Sequence, residues 1–268
     1  MKERIDVLLV NKGFFPSREK AKAALMAGLV SVDGALFDKP GMTVDTEAEI
    51  TVKGDTCPYV SRGGLKLEKG LDFFEISPAG LTCLDIGAST GGFTDCLLSR
   101  GAAKVYAVDA GYGQLDYKLR IDPRVVNIEK CNFRYMDDSL IPEKIGFFCC
   151  DVSFISLGLI IPPAVPLLAD DASGVVLIKP QFEAGRDQVG KKGIVRDPEV
   201  HRQVIAKVIA MAEHNGLAAA GLTHSPVTGA KGNIEYLLYL NKAPGMGYNN
   251  LMDKVDEVVE KARLELGR

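Results

Sequence analysis

The sequence predicts an α/β fold: a doubly wound, Rossmann-like sheet behind a small α+β domain. Three observations carry that expectation. From residue 81 onward, short apolar strands alternate with helical segments, the pattern of a parallel sheet with crossover helices. The first of these strands runs into a glycine-rich turn, D-I-G-A-S-T-G-G-F-T-D at 85–95, which opens a helix. The beginning of the chain differs in charge: residues 1–24 hold six Lys/Arg against three Asp/Glu, whereas the 268-residue chain is −3 overall. A basic head on an acidic body points to two domains, one of them built to meet a polyanion.

The first 55 residues read as a compact module. Leu8-Leu9-Val10 after Arg4-Ile5-Asp6 marks one helix, and Ser17 is placed to cap a second over 17–25, which Gly28 ends. Leu29-Val30-Ser31-Val32 alternates as a strand, Asp33-Gly34 is a hairpin turn, and 48–52 closes a small sheet. Helix, turn, basic helix and hairpin, with the string S-R-E-K-A-K-A-A-L-M-A-G-L-V-S-V-D-G, resemble a small RNA-binding module. That module is shared by ribosomal small-subunit protein four, pseudouridine synthases and tyrosyl-tRNA synthetases. The resemblance implies RNA contacts from Arg4, Arg18, Lys20 and Lys22.

Residues 53–62 are turn-rich, and Leu65, Leu67, Leu71 and Phe74 trace a helix after them. Strands follow at 81–86, 104–109, 125–128, 147–151 and 175–179, with helices at 91–100 and 198–214. Two late strands, 217–224 and 234–240, have a short connection and are expected to be antiparallel. A charged helix is expected over 249–266.

Composition excludes several classes. Apolar residues make 47 % and charged residues 25 %, ordinary globular usage. There is no run long and apolar enough for a spanning helix and no signal-peptide shape at the start, so the expected location is cytoplasmic. The six cysteines have no C-x-x-C spacing and the three histidines lie far from them, so no metal site is expected and the cysteines read as reduced.

Two constellations carry chemistry. In the first, Asp85, Gly87, Ala88, Ser89, Thr90, Gly91, Gly92 and Phe93 form a strand-to-helix turn. Its G-x-x-x-G-G spacing lacks the second glycine that a pyrophosphate needs, so a ligand without phosphates fits better. Asp109 ends the next strand, 22 residues after Gly87, where an acid can hold ribose hydroxyls. Together these suit S-adenosylmethionine. The second constellation is dispersed. Asp151 and Lys179 end strands and so reach the ligand edge of the sheet; Lys66 precedes the first strand, and Glu235 sits in the late strand N-I-E-Y-L-L-Y-L. A lysine ending an apolar strand is costly unless something pairs with it or uses it.

Lys66, Asp151, Lys179 and Glu235 match in order and context the K-D-K-E tetrad of FtsJ-like ribose 2′-O-methyltransferases. With Y-V-S-R-G-G-L-K-L, G-A-S-T-G-G-F-T-D, D-A-G-Y-G-Q-L, D-V-S-F-I-S-L, K-P-Q-F-E-A-G and G-N-I-E-Y, the whole chain resembles the TlyA (haemolysin A) family. The resemblance implies an S4-like RNA-binding domain at 1–55, a linker at 56–62 and, at 63–268, an FtsJ-like domain with a Rossmann-like S-adenosylmethionine-dependent methyltransferase sheet. It implies methyl transfer to cytidine 2′-hydroxyls in ribosomal RNA, with ribosomal RNA or ribosomal subunits as partner. By family position Asn132 meets adenine, and Arg62 is placed to touch RNA phosphate. Lys179 is the group expected on the 2′-oxygen, either as a base or as a charge that stabilises the alkoxide. Tyr112 and Phe133 are expected to pack, and the loop at 185–193 lies beside Lys179.

Two other classes remain to be weighed. The family's older name points to a membrane-damaging protein, yet the tail has no strong basic amphipathic face. A non-catalytic ribosome-binding factor would need the basic module and no tetrad.

Overall fold

A computed structural model describes residues 2–15, 17–26, 28–52, 57–242 and 251–267. The chain divides into two compact units, Met1–Pro58 and Tyr59–Arg268.

In the first unit, β1 (Lys2–Arg4) leads directly into α1 (Ile5–Asn11), and α2 spans Arg18–Met26. The Ser17 hydroxyl accepts the Lys20 N–H at 3.3 Å, the cap that the sequence predicts. Gly28, at φ 69°, closes the other end. Strands β2 (Val30–Val32) and β3 (Ala35–Phe37) form the expected hairpin, with Asp33 and Gly34 both at positive φ as a type I′ turn requires. Strand β4 (Thr43–Asp45) pairs with β1, and β5 (Ile50–Val52) with β2, all antiparallel. The β1–β4 pair is absent from the sequence reading, because three residues are too few for a period-two pattern to register. Ile5, Leu8, Leu9, Leu25 and Val30 form the core. Beside them sits Asp6, whose side chain is inaccessible.

The second unit begins with α3 (Gly63–Phe73), then β6 (Thr82–Ile86), α4 (Gly92–Ser99), β7 (Lys104–Val108), the short α5 (Tyr117–Arg120), β8 (Val125–Ile128) and β9 (Ile145–Cys150). One-turn helices α6 (Ile161–Ala164) and α7 (Pro180–Glu183) flank β10 (Leu168–Ile178); α8 (Pro198–His214), β11 (Ala218–His224), β12 (Tyr236–Asn241) and α9 (Leu251–Leu266) complete it. The seven strands lie in the order β11-β12-β10-β9-β6-β7-β8. β8, β7, β6, β9 and β10 are mutually parallel, and β12 runs antiparallel to both β10 and β11, as expected.

Alternate residues of the central strands face opposite layers, and both faces are buried. Leu84, Phe148 and Val176 join one core with Val204, Ile205 and Val208 of α8. On the other face Gly70 of α3 lies against Val175 and Leu237. Burial on both faces is why these strands are continuously apolar. β10 is longer than the predicted 175–179. Asp170 and Asp171 in its first half disfavour a strand reading, and a register shift between Leu168 and Ser173 accommodates them.

Topology fixes where chemistry can occur. β6 lies between β7 and β9, so the chain order reverses there and opens a crevice at the strands' carboxyl ends. Registers Ile86↔Cys150 and Val176↔Cys150 bring Gly87, Asp151 and Lys179 out at that edge. Register Ile178↔Tyr236 makes the antiparallel β12 start there, which delivers Glu235.

Candidate active site

The tetrad is assembled. Lys66 Nζ donates to Glu235 Oε2 at 2.7 Å and lies 3.6 Å from Asp151 Oδ2. Lys179 Nζ is 2.5 Å from Asp151 Oδ1 and donates to Ser153 Oγ at 2.9 Å. The result is a chain of alternating charge, Glu235–Lys66–Asp151–Lys179, drawn from a helix, two strand ends and the approach to β12. Glu235 is 2 % exposed and Lys179 7 %, so the pairs are largely removed from water and depend on one another. Burial works to lower the Lys66 ammonium, but the carboxylates of Asp151 and Glu235 outweigh it and raise its pKa above the ordinary lysine value. Lys66 therefore stays charged. Glu235 lies one residue ahead of its strand rather than within it. Its backbone carbonyl still accepts Ser225 N–H at 2.8 Å, which fixes its position.

Glycines bring Lys66 to this place. A Cβ on Gly92 would collide with Ser61 Oγ and fall 2.8 Å from Gly64 N, and one on Gly64 would strike the Tyr59 ring. The starts of α3 and α4 therefore meet backbone to backbone. One turn into α3, Lys66 turns toward β12.

Lys66, Asp151, Lys179 and Ser153 line a cavity of about 330 Å³ with Gly87, Ala88, Ser89, Thr90, Gly92 and Phe93. Arg62 borders it and is exposed. Gly87, at φ 87°, runs so close to the next strand end that a Cβ would lie 2.6 Å from the Asp151 carbonyl oxygen. Gly91, at φ 94°, begins α4 with no side-chain cap, so the N–H groups of Gly92 and Phe93 open onto the cavity. Asp109 stands behind the cavity's lining and accepts Ser89 N–H at 2.8 Å and Gly111 N–H at 2.6 Å, which ties its half-exposed carboxylate to the loop.

Some expected contacts fall elsewhere. Asp85 lies beneath the loop, fully buried, and accepts Thr94 Oγ1 at 2.7 Å, so it shapes the start of α4 without lining the cavity. Gly91 is close to Leu115 and Leu119 instead: a Cβ there would strike their methyls. Asn132 is exposed, with its carbonyl accepting Arg134 N–H at 3.2 Å to cap a 3₁₀ turn. Phe133 is buried as expected, whereas Tyr112 is exposed beneath the Lys130 ammonium, 4.2 Å from its ring centre. In the first unit, Arg4 and Arg18 do not stand free. Both guanidiniums bind buried Asp6, at 3.0 and 2.9 Å, and hold its pKa down at about 2. Lys20 is exposed and Lys22 half-buried, with no ion-pair partner among the described residues.

Three features escaped the sequence reading. Ser153 bonds Lys179. Gly229 leaves room for Glu235, because a Cβ there would collide with its carboxylate. Phe154 is 91 % exposed at φ 63°, next to Ser153 and 4.9 Å from the Phe182 ring. A bulky residue held in the left-handed region beside a reactive cluster is a signal of function.

The FtsJ-like methyltransferase family matches residues 59–242, and the S4 domain family matches residues 3–50. A Bacillus subtilis protein named as a candidate rRNA methyltransferase, YqxC, is 50 % identical over 99 % of this chain and 95 % of its own. The 16S/23S rRNA (cytidine-2'-O)-methyltransferase TlyA of Mycobacterium tuberculosis is 44 % identical over 88 % of this chain and 89 % of its own. A solved structure from Streptococcus thermophilus, described as a candidate hemolysin, superposes with a TM-score of 0.79 at 47 % identity, covering 98 % of this chain and 96 % of that one. With its tetrad and glycine loop assembled on such a sheet, the chain belongs to the TlyA family, in which an S4 domain precedes an FtsJ-like methyltransferase domain.

Proposed function

We propose that this protein transfers a methyl group from S-adenosylmethionine to the ribose 2′-oxygen of a cytidine in ribosomal RNA. The observation that carries the reading is the convergence of Lys66, Asp151, Lys179 and Glu235 from separate elements beside the glycine loop. The activity named for the M. tuberculosis relative supports the substrate. Residues 1–55 serve as the RNA-binding domain, with exposed Lys20 and half-buried Lys22 as cations that have no ion-pair partner among the described residues, 56–62 as the linker, and 63–268 as the catalytic domain.

The loop fits the cofactor. Gly87 and Gly92 line the cavity, α4 begins there with no side-chain cap on its N–H groups, and each Asp109 oxygen accepts one N–H and keeps a lone pair for ribose hydroxyls. Gly87 to Thr90, Gly92 and Phe93 would hold it, with Asp109 at its ribose; Asp85 and Gly91 set the loop's shape. When bound, S-adenosylmethionine supplies an electrophilic methyl on a sulfonium.

The chain's own residues supply alignment and proton handling. A ribose hydroxyl is a weak nucleophile, so it must be held in line and its proton taken up or shared. Lys179 ends β10 at the cavity, where its amine reaches the 2′-oxygen. Asp151 binds both ammoniums and so fixes the distance between them. Lys66 is kept charged by two carboxylates, so the site holds a fixed positive charge beside Asp151. Glu235 anchors Lys66 from β12.

The hemolysin reading gains no support from any membrane-spanning element: among the described residues no helix is long and apolar enough to cross a bilayer. The test is nucleoside mass spectrometry of ribosomal RNA incubated with the protein and methyl-labelled S-adenosylmethionine. Label in 2′-O-methylcytidine is expected; label confined to a base, or none, overturns the reading.

A further inference from the structure

The active-site cavity continues past Thr228. That residue also walls a cavity of about 800 Å³ bordered by Arg196, Lys231 and Arg263. Arg196 in turn walls a third, of about 330 Å³, bordered by Lys191 and Lys192. The three concavities are neighbours that share walls at Thr228 and Arg196, and together they make a trough-like series beginning at the active site.

Two loops build this trough and are fastened together. Asn233, 3 % exposed, donates its amide to Gly193 O at 2.9 Å and accepts Val195 N–H at 3.2 Å. Its own carbonyl accepts Gly229 N–H at 2.8 Å, which closes the 229–233 turn. Lys231 rides on that turn at φ 59°, ψ 14°, and a Cβ on Gly193 would lie 3.6 Å from its ammonium. The Lys231 charge is thus held over Gly193, next to Lys192 in sequence.

The cations outnumber the available acids. Among the described residues, Lys191, Lys192, Arg196 and Lys231 have no ion-pair partner. Of the bordering acids, Glu260 binds Arg202 and Arg263, each at 3.1 Å, and Asp197, which caps α8 by accepting Glu199 N–H at 2.9 Å, offsets one of the four unpaired cations and leaves the rest in excess. Like charges held close in a groove repel one another and focus a positive field, which a polyanion relieves. A left-handed backbone at Lys231 is an added cost in the isolated protein.

We propose that this trough binds the phosphate backbone of the RNA strand flanking the target nucleotide. The inference rests on the methyltransferase reading and deepens it: the catalytic unit grips RNA itself and does not leave affinity to the N-terminal module. An acidic protein surface is the competing occupant, and RNA binding discriminates between the two.

The test uses the full chain carrying Lys192→Gln, Arg196→Gln and Lys231→Asn; asparagine tolerates the left-handed backbone, so the turn survives. Fluorescence anisotropy with a labelled ribosomal RNA fragment, taken through a salt series, gives Kd and its salt dependence. At low salt the variant should bind about 10-fold or more weakly, and the slope of log Kd against log salt should shrink by about 2, at roughly 0.7 per lost phosphate contact. Cofactor affinity by calorimetry reports the fold. If it falls, Lys191→Gln with Lys192→Gln on the exposed loop repeats the measurement, with a slope change of about 1.4 expected. Unchanged Kd and slope overturn the trough, including the case in which it serves an acidic protein. The methyltransferase reading fails separately, if the wild-type protein places no methyl on the same RNA.

Discussion

Lys66 and Glu235 stand 169 residues apart in the chain and meet at 2.7 Å, one on α3 and the other at the entry to β12. That pair closes the tetrad from the side opposite Lys179, and a single glycine makes room for it. Gly229→Ala should push the Glu235 carboxylate away and release Lys66. Turnover is expected to fall by about 10-fold to 100-fold, within the range for losing one acid–base partner. Cofactor affinity by calorimetry should hold, because Gly229 makes no part of the glycine loop. Wild-type turnover in a folded Gly229→Ala protein would show that the Glu235–Lys66 pair does not support catalysis.

Phe154 offers a flat, exposed ring next to Ser153, tilted at 47° to the Phe182 ring 4.9 Å away. It is the side chain best placed to stack on a base whose ribose reaches Lys179. Base–aromatic stacking contributes about 1–3 kcal/mol. Phe154→Ala should therefore weaken methylation at limiting RNA by roughly 5-fold to 150-fold, and Phe154→Tyr should restore it. Equal KM for RNA in the wild-type and Ala proteins would remove the ring from recognition.

Asp85 gives the catalytic unit a pH signature. Burial, chiefly, pushes its carboxyl up to about 7, and among the described residues Oδ1 has no hydrogen-bond partner. A raised carboxyl pKa means that the folded state holds the proton more tightly than the unfolded chain. Its contribution is complete below about pH 4 and lost as pH rises through about 7, at up to about 1.4 kcal/mol per unit. The melting temperature should drop more between about pH 5 and pH 8 in the wild type than in Asp85→Asn, which cannot ionise. Parallel melting curves would contradict a protonated Asp85.

Arg18 and Lys20 differ in what their charge meets in the first unit. Arg18 binds buried Asp6, whereas Lys20 projects from the exposed face of α2. Arg18→Ala should lower the thermal midpoint of the first unit, and Lys20→Ala should not, although each removes one positive charge. The Asp6 contribution has the opposite sign to that of Asp85. Its pKa is depressed to about 2, so it is present above about pH 4 and lost as pH falls through about 2. Equal melting of the two variants would show that Asp6 needs only one arginine.

These residues also show what was legible in the sequence. Strand–helix alternation sufficed for the sheet because both faces are buried and every central strand is apolar. Lys66, Asp151, Lys179 and Glu235 stood out because charge at the ends of such strands is conspicuous and their order matched a known tetrad. The pairing of Arg4 and Arg18 with Asp6 was not legible, because nothing local marks a guanidinium that neutralises a buried carboxylate. Gly229 and Ser153 matter only through contacts that the fold creates. Phe154 lies unmarked in the string D-V-S-F-I-S-L, and only its backbone angle and exposure set it apart.

Single-turnover methylation by Lys179→Ala tests the central assignment most directly. Lys179 sits at the carboxyl end of β10, 2.5 Å from Asp151, and among the described residues it makes no hydrogen bond to the glycine loop. With excess enzyme, bound cofactor and ribosomal RNA, the rate should fall by about 10²–10⁴-fold, with cofactor affinity and circular dichroism unchanged. Lys179→Arg should not rescue it, since a guanidinium stays protonated and is wider. A wild-type single-turnover rate from folded Lys179→Ala protein would contradict the account and move the proton-handling role to Lys66.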